Sequence, residues 1–164
     1  MVYSLERKSK SPSESRVESF KAVQNGDINV NKSLFGGNLL AWMDEAAGIA
    51  AIRHCGMTVT TAAIDNLQFK KSLHLGDLVV IEARVTYVGN TSLEVRVDVY
   101  KEDIEEAKRY PVNRAFFTEV CIDKEGKPVR IPYDLKVETE GEKADHEGAK
   151  RRIEYRKQRR IEGF

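Results

Sequence analysis

Asp44 is the residue whose placement in this sequence calls for a chemical explanation. It stands in the middle of residues 36–54 (GGNLLAWMDEAAGIAAIRH), a segment that is otherwise nearly apolar. At helical spacing Leu39, Met43, Ala46 and Ala50 form one stripe, Leu40, Ala47 and Ala51 its neighbour, and Trp42, Ile49 and Ile52 a third side. A helix apolar on nearly every side is a buried helix, and Asp44 shares the stripe of Leu40, Ala47 and Ala51. Aspartate inside a helix costs roughly half a kcal/mol relative to alanine, and burying its charge costs far more unless it is paired or hydrogen-bonded. Two readings follow. Asp44 is a structural carboxylate paired with a sheet cation such as Arg84 or Arg114, or it is a general base or nucleophile. Glu45 lies about 100° round the helix, near Asn38 and Gly48, and reads as a rim residue.

Gly36-Gly37, preceded by Phe35, opens the same helix. Helix N-termini present free N–H groups and a partial positive charge, suited to an anion or a polarised carbonyl. Glycine there admits close approach to the backbone. With a carboxylate eight residues on, these are the parts of a minimal hydrolytic site: amide donors for an oxyanion, and a base or nucleophile. Eight helical residues span about 12 Å, too far for one copy to flank a single carbonyl. The two parts must come from different copies of the helix, which places the site at a homodimer interface.

The elements that must position this helix are strands. Leu93, Val95, Val97 and Val99 alternate with Ser92, Glu94, Arg96 and Asp98, the pattern of a half-buried strand. Val79, Ile81, Ala83, Val85 and Tyr87 alternate in the same way, and Gly89-Asn90 between the runs predicts an antiparallel hairpin. Residues 58–69 and 112–122 are two further β-branched and aromatic stretches, and 17–23 is a weaker one. The layout is strand, long buried helix, then four strands: an α+β fold in which an antiparallel sheet of about five strands curls around one helix. Residues 1–16 are polar and Ser-rich, as expected of a flexible terminus. Residues 133–164 form a charged tail in which Ile153, Tyr155, Ile161 and the terminal Phe164 are the large apolar residues beyond 147, too few for a core-facing stripe. The tail reads as a solvated or frayed helix, or as a docking arm for an acidic partner or phosphate.

Composition sets the outer bounds. The chain has 164 residues, 41% hydrophobic and 32% charged, enough for one domain that buries roughly 70% of its unfolded surface. A net charge of +1 lacks the electrostatic footprint of a nucleic-acid binder. That +1 joins unlike parts: residues 17–147 hold 16 basic and 22 acidic groups, whereas the two ends are basic. No apolar run approaches the roughly 20 residues of a membrane span. Cys55 and Cys121 have no metal-ligand spacing and read as free thiols in a reducing cytoplasm.

The sequence N-x-x-x-x-x-F-G-G, from Asn29 to Gly37, then Trp42 to Gly48 and Arg53 to Cys55, resembles the hot-dog-fold acyl-CoA thioesterases of the brain acyl-CoA hydrolase type and their bacterial single-domain relatives. The likeness continues through residues 59–69, the Gly89–Ser92 hairpin, RAFFT (114–118) and EGKP (125–128), and spans about residues 17–132. It implies a hot-dog domain over those residues, dimers with a continuous sheet, and hexamers built as three dimers. The implied catalytic pair is Asn29 and Asp44 from opposite subunits, with the Gly36 and Gly37 amides polarising the thioester carbonyl. The implied reaction is hydrolysis of fatty acyl-CoA to free acid and CoA, with Asp44 activating water or attacking directly to give an anhydride. Lys70 and Lys71 are candidates for the CoA phosphates, and Thr91 and Ser92 for the pantetheine arm. Solvated lysines and turn chemistry explain these four equally well. No cofactor is implied, since coenzyme A is part of the substrate and product.

Two rival functions fit the same fold. A hot-dog hydratase or dehydratase needs a catalytic His paired with an acid, and His54, His74 and His146 occupy no such place. A non-catalytic acyl-CoA-binding module predicts binding without turnover. His54, at the helix end, reads as satisfying local carbonyls. Asp65, which interrupts a strand, reads as a salt-bridge partner or as an acid supporting the site.

Overall fold

In the computed structural model, which describes residues 7–164, the chain runs β1 (Lys8–Lys10), α1 (Pro12–Ser15), β2 (Val17–Ala22), α2 (Gly36–Cys55), β3 (Val59–Asp65), β4 (Leu78–Val88), β5 (Ser92–Asp103), β6 (Lys108–Cys121), β7 (Tyr133–Leu135) and α3 (Glu140–Glu162). Strands β2, β4, β5, β6 and β3 lie in that order in one antiparallel sheet. Helix α2 lies across its inner face, the α+β arrangement the sequence predicts. Met43, Ala46, Ala47, Ala50 and Ala51 pack with Ile81, Ala83, Val85, Val95, Val97 and Phe117 in one core. Alanine on the contact side of α2 lets the sheet approach the helix backbone closely. The hairpin closes at Gly89, whose N–H donates to Ser92 O at 2.8 Å.

Two sides of α2 are buried as expected, but the third is not. Ile49 is 39% and Ile52 46% exposed in the single chain. The helix ends at Gly56, whose left-handed φ of +69° only glycine adopts without strain, and whose N–H returns to Ile52 O.

The N-terminal segment departs from expectation over its described part. Residues 1–6 lie outside the described residues, but 7–16 are tied down. β1 pairs in parallel with β7, and Lys10 Nζ donates to Arg53 O and His54 O at 3.0 Å each. An ammonium there satisfies carbonyls that the last turn of α2 leaves without a partner and matches the negative end of its dipole. Strand bounds also shift. β3 ends at Asp65 because Asn66 turns to φ +64°, which leaves Lys70 and Lys71 in the following loop, and β6 begins at Lys108 rather than 112.

The outer face of the sheet departs most from expectation. The alternation in β5 suggests that Glu94 and Asp98 face water, yet they are 1% and 3% exposed. They are covered by α3, which docks through charge rather than through an apolar stripe. Asp145 accepts from Arg84 at 2.9 Å and Arg96 at 2.6 Å. Arg152 donates to Glu94 at 2.7 and 3.0 Å while lying 3.5 Å over the Phe116 ring. Arg156 and Arg159 both pair with Asp65, so Asp65 is a salt-bridge partner. His146 sits on α3, stacks on Tyr87 and bonds Thr86 O at 3.1 Å. Ala149 is fully buried at the centre of the contact.

Removing one partner of a buried ion pair leaves an uncompensated charge. Arg152→Ala is therefore expected to lower stability by about 3 kcal/mol, read as a drop in the urea midpoint. An unchanged midpoint would show that α3 docks without this pair.

Candidate active site

The helix start and its glycines are shaped by two aromatic rings. A Cβ built on Gly37 would lie 2.4 Å from the Phe35 ring, and one on Gly36 would lie 3.3 Å from the Phe69 ring. Phe35 and Phe69 are themselves 54% and 58% exposed, so they form a partly open apolar mouth at the N-terminus of α2. Asp27 O holds this start by accepting the Phe35 N–H at 2.8 Å.

Asn29 lies in the loop just before that mouth. Its Oδ1 accepts from the backbone N–H of Asn31 at 2.9 Å and of Ser33 at 3.3 Å, and from Ser33 Oγ at 3.3 Å. The loop is closed by Asn29 N–H donating to Ser33 O at 2.8 Å. The carbonyl end of the side chain is thus committed to its own loop, and among the described residues the Nδ2 donor has no acceptor. Asn29 is set up to give hydrogen bonds rather than to take them.

Asp44 is half-buried two turns into α2. The alternative in which it pairs with Arg84 or Arg114 does not hold, because both guanidiniums are engaged with Asp98 on the opposite face of the sheet. Its partner is Thr61 of β3, whose Oγ1 lies 2.7 Å from Asp44 Oδ1. The same oxygen lies 3.0 Å from Glu119 Oε1. Thr61 and Glu119 face each other across the β3–β6 ladder, so sheet register brings both beneath Asp44. Glu119 is 1% exposed. Burial, helped by the nearby Asp44 charge and opposed by the Thr61 hydrogen bond, raises its pKa from the usual carboxylate range to about 7.

Sequence reasoning singles out neither Thr61 nor Glu119. The available signal is the one that marks Asp44: on β6 the inward positions read Ala115, Phe117, Glu119, Cys121, a carboxylate on an apolar face. Glu45 is a rim residue, 63% exposed and 3.9 Å from Lys21.

The remaining candidates lie apart from Asp44. Lys71 Nζ donates to Pro111 O at 2.9 Å. Lys70 borders an open cavity of about 380 Å³ with Asn66, Gln68, Asp98 and Arg114. Thr91 O accepts from Cys121 N at 2.8 Å, and Ser92 lines a separate groove of about 260 Å³ with Arg156, Lys157 and Arg160. His54 does not satisfy local carbonyls, since Lys10 does so. Its ring nitrogens are buried without a partner among the described residues, and burial pushes its pKa down. His74 is exposed, 4.0 Å from Asp77. Cys55 and Cys121 are buried free thiols.

Against known proteins, residues 31–108 match the thioesterase superfamily. The chain is 39% identical over 147 residues to the uncharacterized acyl-CoA thioester hydrolase YkhA of Bacillus subtilis (strain 168), which covers 90% of this chain and 85% of that protein. The chain belongs to the hot-dog acyl-CoA thioesterases. An acyl-CoA hydrolase of Staphylococcus aureus, solved with butyryl coenzyme A, coenzyme A and coenzyme A disulfide, superposes on this thioesterase with TM-score 0.87 at 38% identity, covering 94% of this chain and 93% of that one. Solved variants of that hydrolase carry alanine in place of an aspartate, an asparagine and a threonine. An apo-hexameric acyl-CoA thioesterase gives TM-score 0.87 at 37% identity, over 93% of this chain and 97% of that one. Among the described residues of the thioesterase, no helix is long and apolar enough to cross a membrane.

Glu119 makes stability depend on pH. Its folded pKa lies above its unfolded value of 4.5, so between about pH 4.5 and 7 the folded state binds the extra proton. Stability therefore falls as pH rises through that window. Relative to wild type, Glu119→Gln is expected to gain about 2–3 kcal/mol between pH 5 and pH 8. Urea midpoints at the two pH values measure this, and parallel curves for the two proteins would show that Glu119 is not held neutral.

Proposed function

We propose that this thioesterase hydrolyses fatty acyl-CoA to the free acid and CoA, with Asp44 as base or nucleophile. The observation that carries the reading is a carboxylate in an apolar helix, held by a single threonine hydroxyl and, among the described residues, paired with no cation. The Gly36 and Gly37 N–H groups, with Asn29 Nδ2, would stabilise charge on the thioester carbonyl oxygen. Asp44 would deprotonate the attacking water, or attack the carbonyl itself to give an anhydride that water then opens. Either way the coenzyme A thiolate leaves. An aspartate, an asparagine and a threonine are the residue types replaced in the Staphylococcus aureus variants, and Asp44, Asn29 and Thr61 are the same three types.

About 12 Å of helix separates Gly36 from Asp44, and Asn29 lies in the loop before Gly36, so in this reading each site takes Asn29 from one subunit and Asp44 from its partner. A homodimer then holds two sites, and three dimers give the hexamer that the apo-hexameric relative forms. Lys70 and Lys71 would meet the CoA phosphates, and Thr91 and Ser92 the pantetheine arm. Coenzyme A enters as part of the substrate, and the scheme requires no other cofactor. Two unpaired buried thiols suit a cytoplasmic enzyme. A hydratase is not favoured, because no histidine among the described residues faces Asp44.

Release of free CoA from a panel of acyl-CoAs, C2 to C18, tests the activity directly. Asp44→Asn should lower kcat on the order of 10²–10⁴-fold while folding and assembly are kept. Binding without turnover in the wild type would replace the reading with an acyl-CoA-binding module. Mixing subunits tests the shared site. Asn29→Ala and Asp44→Asn proteins, unfolded together and refolded in equal amounts, should recover about a quarter of wild-type activity, because each mixed dimer rebuilds one intact site. No recovery would mean that both residues serve the same subunit's site.

A further inference from the structure

One hydroxyl stands between two carboxyl groups beneath the proposed site. Thr61 Oγ1 is 2.7 Å from Asp44 Oδ1 and 3.0 Å from Glu119 Oε1. A threonine hydroxyl carries one proton and can donate to only one of them. The second contact needs a proton supplied from the other side. Asp44 is half-exposed at the site, whereas Glu119 is 1% exposed and its Oε2 has no hydrogen-bond partner among the described residues. An ionised carboxylate with one orphaned oxygen, no cation and no water contact is heavily penalised. The neutral acid fits the same geometry, with Oε1–H donating to Thr61 Oγ1 and Thr61 in turn donating to Asp44.

The groups facing Glu119 leave Asp44 as the charge beside it. Asp44 approaches from α2, uncharged Thr61 from β3 and Leu93 from β5, directly opposite on the ladder. On β6 itself Cys121 follows two residues on, and its thiol is pushed up by Cys55, by burial and by Glu119.

We propose that Glu119, as a neutral carboxylic acid, is a positioning residue for the hydrolysis: it fixes the Thr61 proton on Asp44 and so holds the Asp44 carboxylate aimed. This rests on the reading of Asp44 as the reacting carboxylate. When Glu119 loses its proton, Thr61 can turn its hydrogen towards Glu119, and a second negative charge appears beside Asp44. Activity then falls as pH rises through the Glu119 ionisation, which burial and the Asp44 charge raise to about 7.

The test is kcat against pH for the full-length protein, with circular dichroism and assembly size confirming that each variant folds. Wild type should show an alkaline limb near pH 7. Glu119→Gln keeps a donor to Thr61 but cannot ionise. It should retain kcat within about threefold at pH 6 and lose the limb, ending above wild type at pH 8. Glu119→Leu, with no donor and no ionisation, should lose about tenfold at pH 6 and show no limb. In a Thr61→Val background at pH 6, where Glu119 is neutral, Glu119→Gln should change nothing further, since the hydrogen-bond route to Asp44 is gone. A limb unmoved in Glu119→Gln overturns the proposal. So does a loss in Glu119→Gln as deep as that of Asp44→Asn, which would make Glu119 a reacting group. Full activity in Asp44→Asn would instead overturn the parent reading, so the two failures are distinguishable.

Discussion

The position of a single carboxylate in a buried helix is the constraint around which the molecule is arranged. Helix α2 can sit against the sheet because alanines line its contact side and bring the two backbones close. That proximity is what allows a residue as short as Asp44 to reach a strand at all. The strand answers with a hydroxyl rather than a cation. An arginine in place of Thr61 would tie Asp44 into an ion pair, whereas the threonine hydroxyl bonds one carboxylate oxygen and leaves the other without a side-chain partner among the described residues. Sheet register then sets Glu119 opposite Thr61, and the apolar core that surrounds it keeps that acid out of water. The fold and the proposed site are thus linked through one packing distance.

The outer face solves the opposite problem. Strand β5 carries Glu94 and Asp98 on a side that α3 removes from water. Desolvating those carboxylates is costly unless each finds a partner, and Arg84, Arg96 and Arg152 supply them. The guanidinium fork suits this use because it meets a carboxylate with two hydrogen bonds and still stacks on a ring, as Arg152 does over Phe116. The charge network also separates the two faces of the sheet. Arginines are paired on the outer side, and among the described residues Asp44 and Glu119 on the inner side meet no cation. The net negative charge of residues 17–147 is therefore not a diffuse surface property, since several of those acids are paired beneath α3.

What the sequence reveals and what it conceals follow from how local each signal is. The hairpin at Gly89 and the long helix were legible because period-2 and period-3.6 alternation depend on neighbours a few residues apart. Asp44 was legible for the same reason, as a polar residue that breaks its own stripe. Thr61 was not, because a threonine in a strand is ordinary until one knows what lies opposite. Glu119 belongs to the same helix–sheet contact, and recognising it needs the register of β3 against β6, which no local pattern carries. The docking of α3 was hidden for a related reason. A helix that binds through ion pairs has no apolar stripe, and its partners on β4 and β5 are 60 or so residues away in the chain. Asn29 was visible only through family likeness, because its side chain looks like turn chemistry and its oxygen does in fact organise a turn.

The sides of α2 left uncovered bear on how a working site is completed. Ile49 and Ile52 are partly exposed, and Phe35 and Phe69 stand open at the helix start. Scattered apolar residues on a surface are ordinary, but these belong to the helix that carries Asp44 and to the mouth beside Gly36 and Gly37. A thioester needs its acyl chain out of water and its carbonyl at donors that one chain holds about 12 Å from Asp44. A second copy approaching along this edge would meet both needs with the same contact, covering the apolar side and bringing its own donors to Asp44. In the proposed dimer the chemistry and the interface are then not separate requirements: the surface that drives association is also the surface that completes the site.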